Sequence, residues 1–200
     1  MDEATRRDLL SGRVEPGGRS PAPSPLRTVQ EFVNTWNHEL PSEWDGLGSV
    51  ESARAWLRDH RLLAPSEALS ERDRRKLILL RESLRALLVA KQGLSLSPQT
   101  LKDLNDLTEP IQVLFHARGV SYLRPSNGGI RGVIGQLLAS VHEAGVEGSW
   151  RRLKGCRQCG WAFYDRSKNC SGSWCSMSIC GNRSKNRSYR RRRQAPRGPR

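Results

Sequence analysis

Cys156-Arg-Gln-Cys159-Gly-Trp-Ala-Phe-Tyr-Asp165 and, after a short interval, Trp174-Cys175-Ser-Met-Ser-Ile-Cys180-Gly181-Asn182-Arg183 decide the reading of this chain. The stretch they bound contains all five cysteines of the protein, four of them in two close pairs. Two thiolates from each pair can meet at one tetrahedral Zn²⁺ with Zn–S distances of about 2.3 Å, whereas a disulfide framework would need an oxidising compartment and an even number of cysteines. Cys156, Cys159, Cys175 and Cys180 are therefore the expected ligands of one structural zinc. Four thiolates leave no open position for water, and no neighbouring Glu or His is placed to act as a base. A C-x-x-C pair also serves redox chemistry, but no strand, helix, strand pattern surrounds this one. Cys170 lies in a run with turn composition, Ser167-Lys-Asn-Cys-Ser-Gly-Ser173, and is expected to be a free thiol.

The intervening residues predict how the site is built. Gly160 follows the first pair, and Trp161, Phe163 and Asp165 alternate with Ala162, Tyr164 and Arg166, as on a short strand. A turn and a return strand into Trp174 are expected next. From Asn182 the chain carries no Pro and no strand alternation, so residues 182–193 predict a helix of about three turns whose positive end faces Cys180. The result is a knuckle, hairpin, helix module of treble-clef-like form.

Charge separates this module from the rest. Residues 1–150 hold nineteen Lys or Arg and nineteen Asp or Glu, while residues 151–200 hold fifteen Lys or Arg against Asp165 alone. The whole net charge of +14 sits in the last quarter, which points to a polyanion bound there. On the predicted helix Arg183, Arg187 and Arg190 fall on one stripe and Lys185, Tyr189 and Arg192 on another, with Arg191 and Arg193 completing the basic run. These Arg and Lys residues are the expected DNA contacts. Balancing four thiolates, with a formal site charge of about −2, would occupy Lys154, Arg157 or Arg183 but not the remainder. RNA or an acidic protein surface are the competing partners, with Trp161, Phe163 and Trp174 offering rings to unpaired bases or, alternatively, packing over the small zinc core.

At these positions the sequence resembles the CGNR zinc-finger family, through Cys180-Gly181-Asn182-Arg183 and also Trp161, Phe163-Tyr164-Asp165, Ser167, Asn169, Trp174-Cys175-Ser176-Met177, Lys185 and Tyr189-Arg190. It departs from the family at Ser171-Gly-Ser173, where arginines are common. The resemblance implies a bacterial protein with an N-terminal helical domain called ABATE, of a kind described as stress-induced transcription regulators. Phe32-Val33-Asn34-Thr35 resembles the Asn-Thr motif that opens that domain, and Leu80-Arg81-Glu82-Ser83-Leu84-Arg85 its central helix.

Upstream of the cysteines the pattern is helical. Residues 1–25 are expected to be a disordered tail, because Ser11 to Pro25 carry little apolar surface. Val29, Phe32, Val33, Trp36 and Leu40 predict a helix ending at Pro41, with Asn34 and Thr35 beside its stripe either bonding locally or meeting a ligand or partner. Further helices are predicted from Val50 to about His60, from a Ser70/Asp73 cap to Gly93, from Ser97-Pro98 through Leu107, and from Ile130 through Val141. Ile111, Val113 and Phe115, then Val120, Tyr122 and Leu123, predict a small hairpin. The fold class is thus mainly α: a disordered tail over 1–25, a helical ABATE-like domain over 26–149, the zinc finger over 150–193 and a basic tail over 194–200. The four histidines, His38, His60, His116 and His142, are scattered and are expected at the surface or at helix ends. No nucleophile turn or phosphate loop accompanies them, so nothing argues for an enzyme. No apolar run approaches the ~20 residues of a membrane span, and a cytoplasmic, nucleoid-associated, zinc-dependent DNA-binding regulator is expected, with a homodimer open.

Overall fold

The computed structural model describes residues 12–13, 15–36, 39 and 42–194. Its elements run α1 (Leu26–Val33), α2 (Val50–Asp59), α3 (Glu71–Ala90), α4 (Pro98–Asp106), β1 (Ile111–Phe115), β2 (Ser121–Pro125), α5 (Gly129–Val146), β3 (Leu153–Gly155), β4 (Ala162–Tyr164) and α6 (Asn182–Gln194). Helix starts follow the side chains that can satisfy free N–H groups. Ser49 and Ser70 form capping boxes with Ser52 and Asp73, and Ser97 accepts from Thr100 N–H ahead of Pro98 at the first helical position.

One core gathers Val29, Phe32 and Val33 of α1, Ala53, Trp56 and Leu57 of α2, Leu77, Leu80, Leu84 and Leu88 of α3, and Val133, Ile134 and Leu137 of α5. Its continuation crosses into the cysteine-bearing segment: Leu153, Ala162 and Tyr164 belong to the same cluster. β3 and β4 pair antiparallel, Lys154 opposite Phe163, and lie against α1 and α3. Gly155 permits this closeness, because a Cβ there would stand 2.5 Å from Val89 Cγ2 and 2.9 Å from its backbone nitrogen.

Three expectations change. The first helix stops at Val33 rather than near Pro41, since the carbonyls of Val33 and Trp36 are both taken by the Arg85 guanidinium and that of Thr35 by Gly46 N–H. Leu40, Pro41 and His38 lie outside the described residues. β4 pairs with Leu153–Gly155, ahead of the first cysteine pair, and not with a return strand into Trp174. Residues 171–174 are instead held as a loop: Gly172 N–H donates to Asp165 Oδ2 at 2.7 Å and Gly172 O accepts from Lys154 Nζ at 3.2 Å. Finally, the described residues 15–25 are not a free tail. Ala22 is buried, its N–H donating to Gln30 Oε1 at 2.7 Å, and Pro21 O accepts from Arg166 Nη2 at 3.0 Å. Residues 1–11 and 195–200 are outside the described part of the chain.

Candidate metal centre and basic helix

The Sγ atoms of Cys156, Cys159, Cys175 and Cys180 lie within 4.8 Å of one another, and all four residues are buried. Three of the separations are 3.7 Å for Cys159–Cys175, 3.6 Å for Cys175–Cys180 and 3.7 Å for Cys180–Cys159. A tetrahedron with Zn–S of about 2.3 Å has edges of ~3.8 Å, so the thiols already stand at the spacing of a shared ion. Hydrogen bonds from the Cys159 and Cys175 thiols pull Cys156 down. The same contacts push Cys159 and Cys175 up, and burial pushes Cys180 up. The bare cluster favours a single thiolate, and four together require a cation at their centre. The donor set therefore fits one zinc ion. Cys170 stands apart, half-buried with φ +49°, its thiol 3.7 Å from Arg151 O.

Each pair is presented by a local turn. Cys156 N–H bonds Trp161 O at 2.9 Å and Gly160 N–H bonds Cys156 O at 2.9 Å, closing the first knuckle, with Gly160 at φ +72°. Ser176 Oγ accepts from Ile179 N–H at the start of a wide turn over Met177–Gly181 that carries Cys180 and runs directly into α6. Asn182 does not cap that helix by accepting; its Nδ2 donates to Ser178 O at 3.1 Å. Trp161 and Phe163 pack with the four cysteines, while Ala162 and Tyr164 of the same strand point into the main core. The period-2 alternation of β4 thus joins the two cores.

Lys154 and Asp165 brace the loop before Cys175. Lys154 Nζ donates to Asp165 Oδ2 at 2.9 Å and to Cys170 O. Burial alone would raise Asp165, but Lys154 and the Ser167 and Gly172 N–H groups outweigh it and hold the carboxyl well below the usual range. Lys154 and Arg157, weighed as counter-charges for the thiolates, have other partners, Arg157 donating to Gln92 O. Two arginines that sequence did not place at the metal site do approach the centre. Arg85 Nη1 donates to Gly160 O at 3.2 Å, and Arg19 donates to Cys175 O at 2.7 Å and Trp174 O at 3.0 Å with its guanidinium 4.8 Å from the Phe163 ring centre. Arg19 lies in a Pro- and Gly-rich stretch without periodicity, which left no sequence signal.

Asn34 and Thr35 are both fully buried. Asn34 Nδ2 donates to Ala162 O and Oδ1 accepts from Ala162 N–H, both at 2.8 Å. Thr35 Oγ1 donates to Phe32 O at 2.9 Å and accepts from Arg81 Nη1 at 3.1 Å. Their polar groups are thus engaged within the protein. His60, also placed at a helix end by sequence, turns its ring inward. It stacks on Trp56 at 3.8 Å, with Nε2 2.8 Å from Glu31 Oε2.

The basic helix α6 is different in kind: none of its thirteen residues is buried. It carries Arg183, Lys185, Arg187, Arg190, Arg191, Arg192 and Arg193 without one acidic residue. Among the described residues only Arg183 of these is ion-paired, with Glu39 Oε2 at 2.9 Å. Lys185, Tyr189 and Arg192 border a shallow hollow with Trp174 and Gly181, and Arg193 lies 5.7 Å from the Tyr189 ring centre. No described helix is long and apolar enough to cross a membrane.

Comparison with known families matches both segments. A family model described as "ABATE: Putative stress-induced transcription regulator" covers residues 26–147, and the model of the CGNR zinc finger covers residues 152–193. No curated protein matches the chain. With well over half its length under the first model, the chain belongs to the ABATE family, and its four-cysteine cluster lies in a CGNR zinc finger.

Proposed function

We propose that this protein is a zinc-dependent DNA-binding transcription regulator of the bacterial cytoplasm. In this reading Cys156, Cys159, Cys175 and Cys180 ligate one structural zinc, and the finger spans 150–193. Helix α6 meets DNA through Arg183, Lys185, Arg187 and Arg190 to Arg193. Residues 26–149 serve sensing or dimerisation. The observation that carries it is α6 itself. A thirteen-residue helix with seven cations, no anion and no buried residue contributes nothing to the core, so its composition is explained by a partner. Fixing its first turn to Cys180 makes the helix direction depend on the metal. Asn34 and Thr35 enter this reading as structural residues because their polar groups are already satisfied.

Binding to unpaired RNA bases is less well supported, because Trp161 and Phe163 are buried beside the cysteines and only Trp174 of the three rings is partly exposed. The test is selection of zinc-loaded, full-length protein against random duplex DNA near physiological salt, with a chelated control and single-stranded RNA as competitor. Enrichment of one motif, lost on chelation, is the expected result. Binding that enriches nothing and disappears with salt would reduce α6 to a polyanion anchor for RNA or an acidic protein.

A further inference from the structure

The hairpin β1–β2 is a two-stranded sheet with one edge covered and one open. Ser126 N–H bonds Pro110 O at 3.0 Å and His116 N–H bonds Val120 O at 2.8 Å, which fixes the even-numbered residues of β1 as those bonded to β2. The N–H and C=O groups of Ile111, Val113 and Phe115 therefore point away from β2. On the opposite side Leu123 N–H, pointing outward by the same alternation, is met by Glu143 Oε1 of α5 at 3.3 Å. Nothing among the described residues pairs with the β1 edge. The residues that expose its backbone also expose apolar side chains: Ile111 is 37%, Val113 58% and Phe115 76% exposed. An open edge of this kind is normally blunted by a charge or Pro, and Ile-Gln-Val-Leu-Phe contains neither.

We propose that this edge is the interface with a second copy of the chain, β1 pairing antiparallel with β1 about a two-fold axis at Val113. That register sets Val113 against Val113, Ile111 against Phe115 and Gln112 against Leu114, so no charges face one another across the strands. The paired stretch holds no charged residue, and Glu109 just before it is already ion-paired within its own copy, its Oε2 2.8 Å from Arg131 Nε. Self-pairing thus sets the exposed apolar side chains of Ile111, Val113 and Phe115 against one another without opposing like charges, and yields a four-stranded sheet with its outer strands on the two α5 helices. The short strand implies a weak dimer, with Kd of about 10–100 µM. This inference deepens the dimerisation half of the proposed function and rests on none of its DNA-binding half.

Sedimentation equilibrium of the full-length, zinc-loaded protein without nucleic acid tests it, over about 1–300 µM. Wild type is expected to pass from monomer to dimer across that range. Val113→Lys and Val113→Glu, each placing like charges on the two-fold axis, are expected to weaken self-association at least about tenfold. An equimolar mixture of the two regains a heterodimer, since the opposed charges now attract. Because Val113 is exposed, unchanged melting and zinc content show that both variants fold. A wild type that stays monomeric overturns both this interface and the dimerisation reading. A dimer that survives both substitutions, or a mixture that fails to associate, overturns the β1 pairing alone.

Discussion

Asn34 pairs with Ala162 as a neighbouring strand would, its side-chain amide taking both the N–H and the C=O of one residue at 2.8 Å. One side chain at the end of α1 thereby occupies the free edge of the strand that joins the main core to the cysteine cluster. Asn34→Ala leaves the buried Ala162 N–H without a partner and its C=O with only Gln30 Nε2 at 3.3 Å, and is expected to lower stability by about 1–3 kcal/mol. Asn34→Asp, which keeps the acceptor and loses the donor, should also destabilise. Denaturant unfolding gives the magnitude, and hydrogen exchange at Ala162 shows whether the loss is local to β4. Unchanged exchange there would remove Asn34 from the joint.

Arg81 is almost fully buried, its guanidinium gripping Asp45 at 2.5 and 3.0 Å and touching Thr35 Oγ1. Truncating one partner strands the other charge, so Arg81→Leu is expected to cost about 3–5 kcal/mol. Combining it with Asp45→Asn should recover part of that loss. A double-mutant cycle measures the coupling, and strict additivity would mean that the pair does not act as one unit.

The cysteine spacing, the helix caps and the charge asymmetry were legible because each is local: two close thiol pairs, Ser70 three residues before Asp73, and fifteen cations beside one acid. What the sequence hid is contact between distant segments. The partner of β4 is the three-residue strand Leu153–Gly155, too short for alternation to register. Arg19 sits 155 and 156 residues from the carbonyls it binds, in a stretch whose composition argues for disorder. Arg85 belongs to the Leu80–Arg85 stretch that resembles the ABATE central helix, but only its position across from Val33, Trp36 and Gly160 shows why α1 stops where it does.

Metal removal should reach beyond the finger. Trp161 and Phe163 line the cysteine cluster while Ala162 and Tyr164, from the same strand, complete the main core. Chelation is expected to lower the stability of the helical part as well, by about 2–4 kcal/mol, or roughly 5–15 °C in Tm. Cys175→Ser should reproduce this with loss of bound zinc, and Cys170→Ser should change neither. A helical transition that melts at the same temperature with and without metal would show the two cores to be independent.

Acidity acts on the arm before α1. Glu15 accepts from Gln30 Nε2 at 2.7 Å, while its buried Oε2 finds no partner among the described residues. Burial, reinforced by Glu31, raises its pKa from 4.5 to about 7 despite Arg27 and Arg19 nearby. The folded chain thus keeps a proton that the unfolded chain releases near 4.5. The stabilisation is complete below that pH and is lost as pH rises through about 7. Glu15→Gln is expected to remove this slope and to stabilise the protein at pH 8 by about 1 kcal/mol, after discounting for partial exposure. Hydrogen exchange of residues 15–25 between pH 5 and 8 would follow it. Identical pH dependence in the variant would show that Glu15 does not govern the arm.

The salt dependence of DNA binding tests whether α6 carries the contact. If Arg187 and Arg190 each neutralise a phosphate, replacing either with Ala should weaken binding to every duplex similarly and reduce the slope of log K against log salt by about 1. Neither change should alter melting or zinc content, because no residue of α6 is buried. Arg183 should behave differently. It must leave Glu39 before it can meet DNA, so Arg183→Ala is expected to reduce affinity less than the other two, and Glu39→Gln to increase it. If all three Arg variants leave slope and affinity unchanged, α6 has no part in binding DNA, and the proposed role of this helix fails.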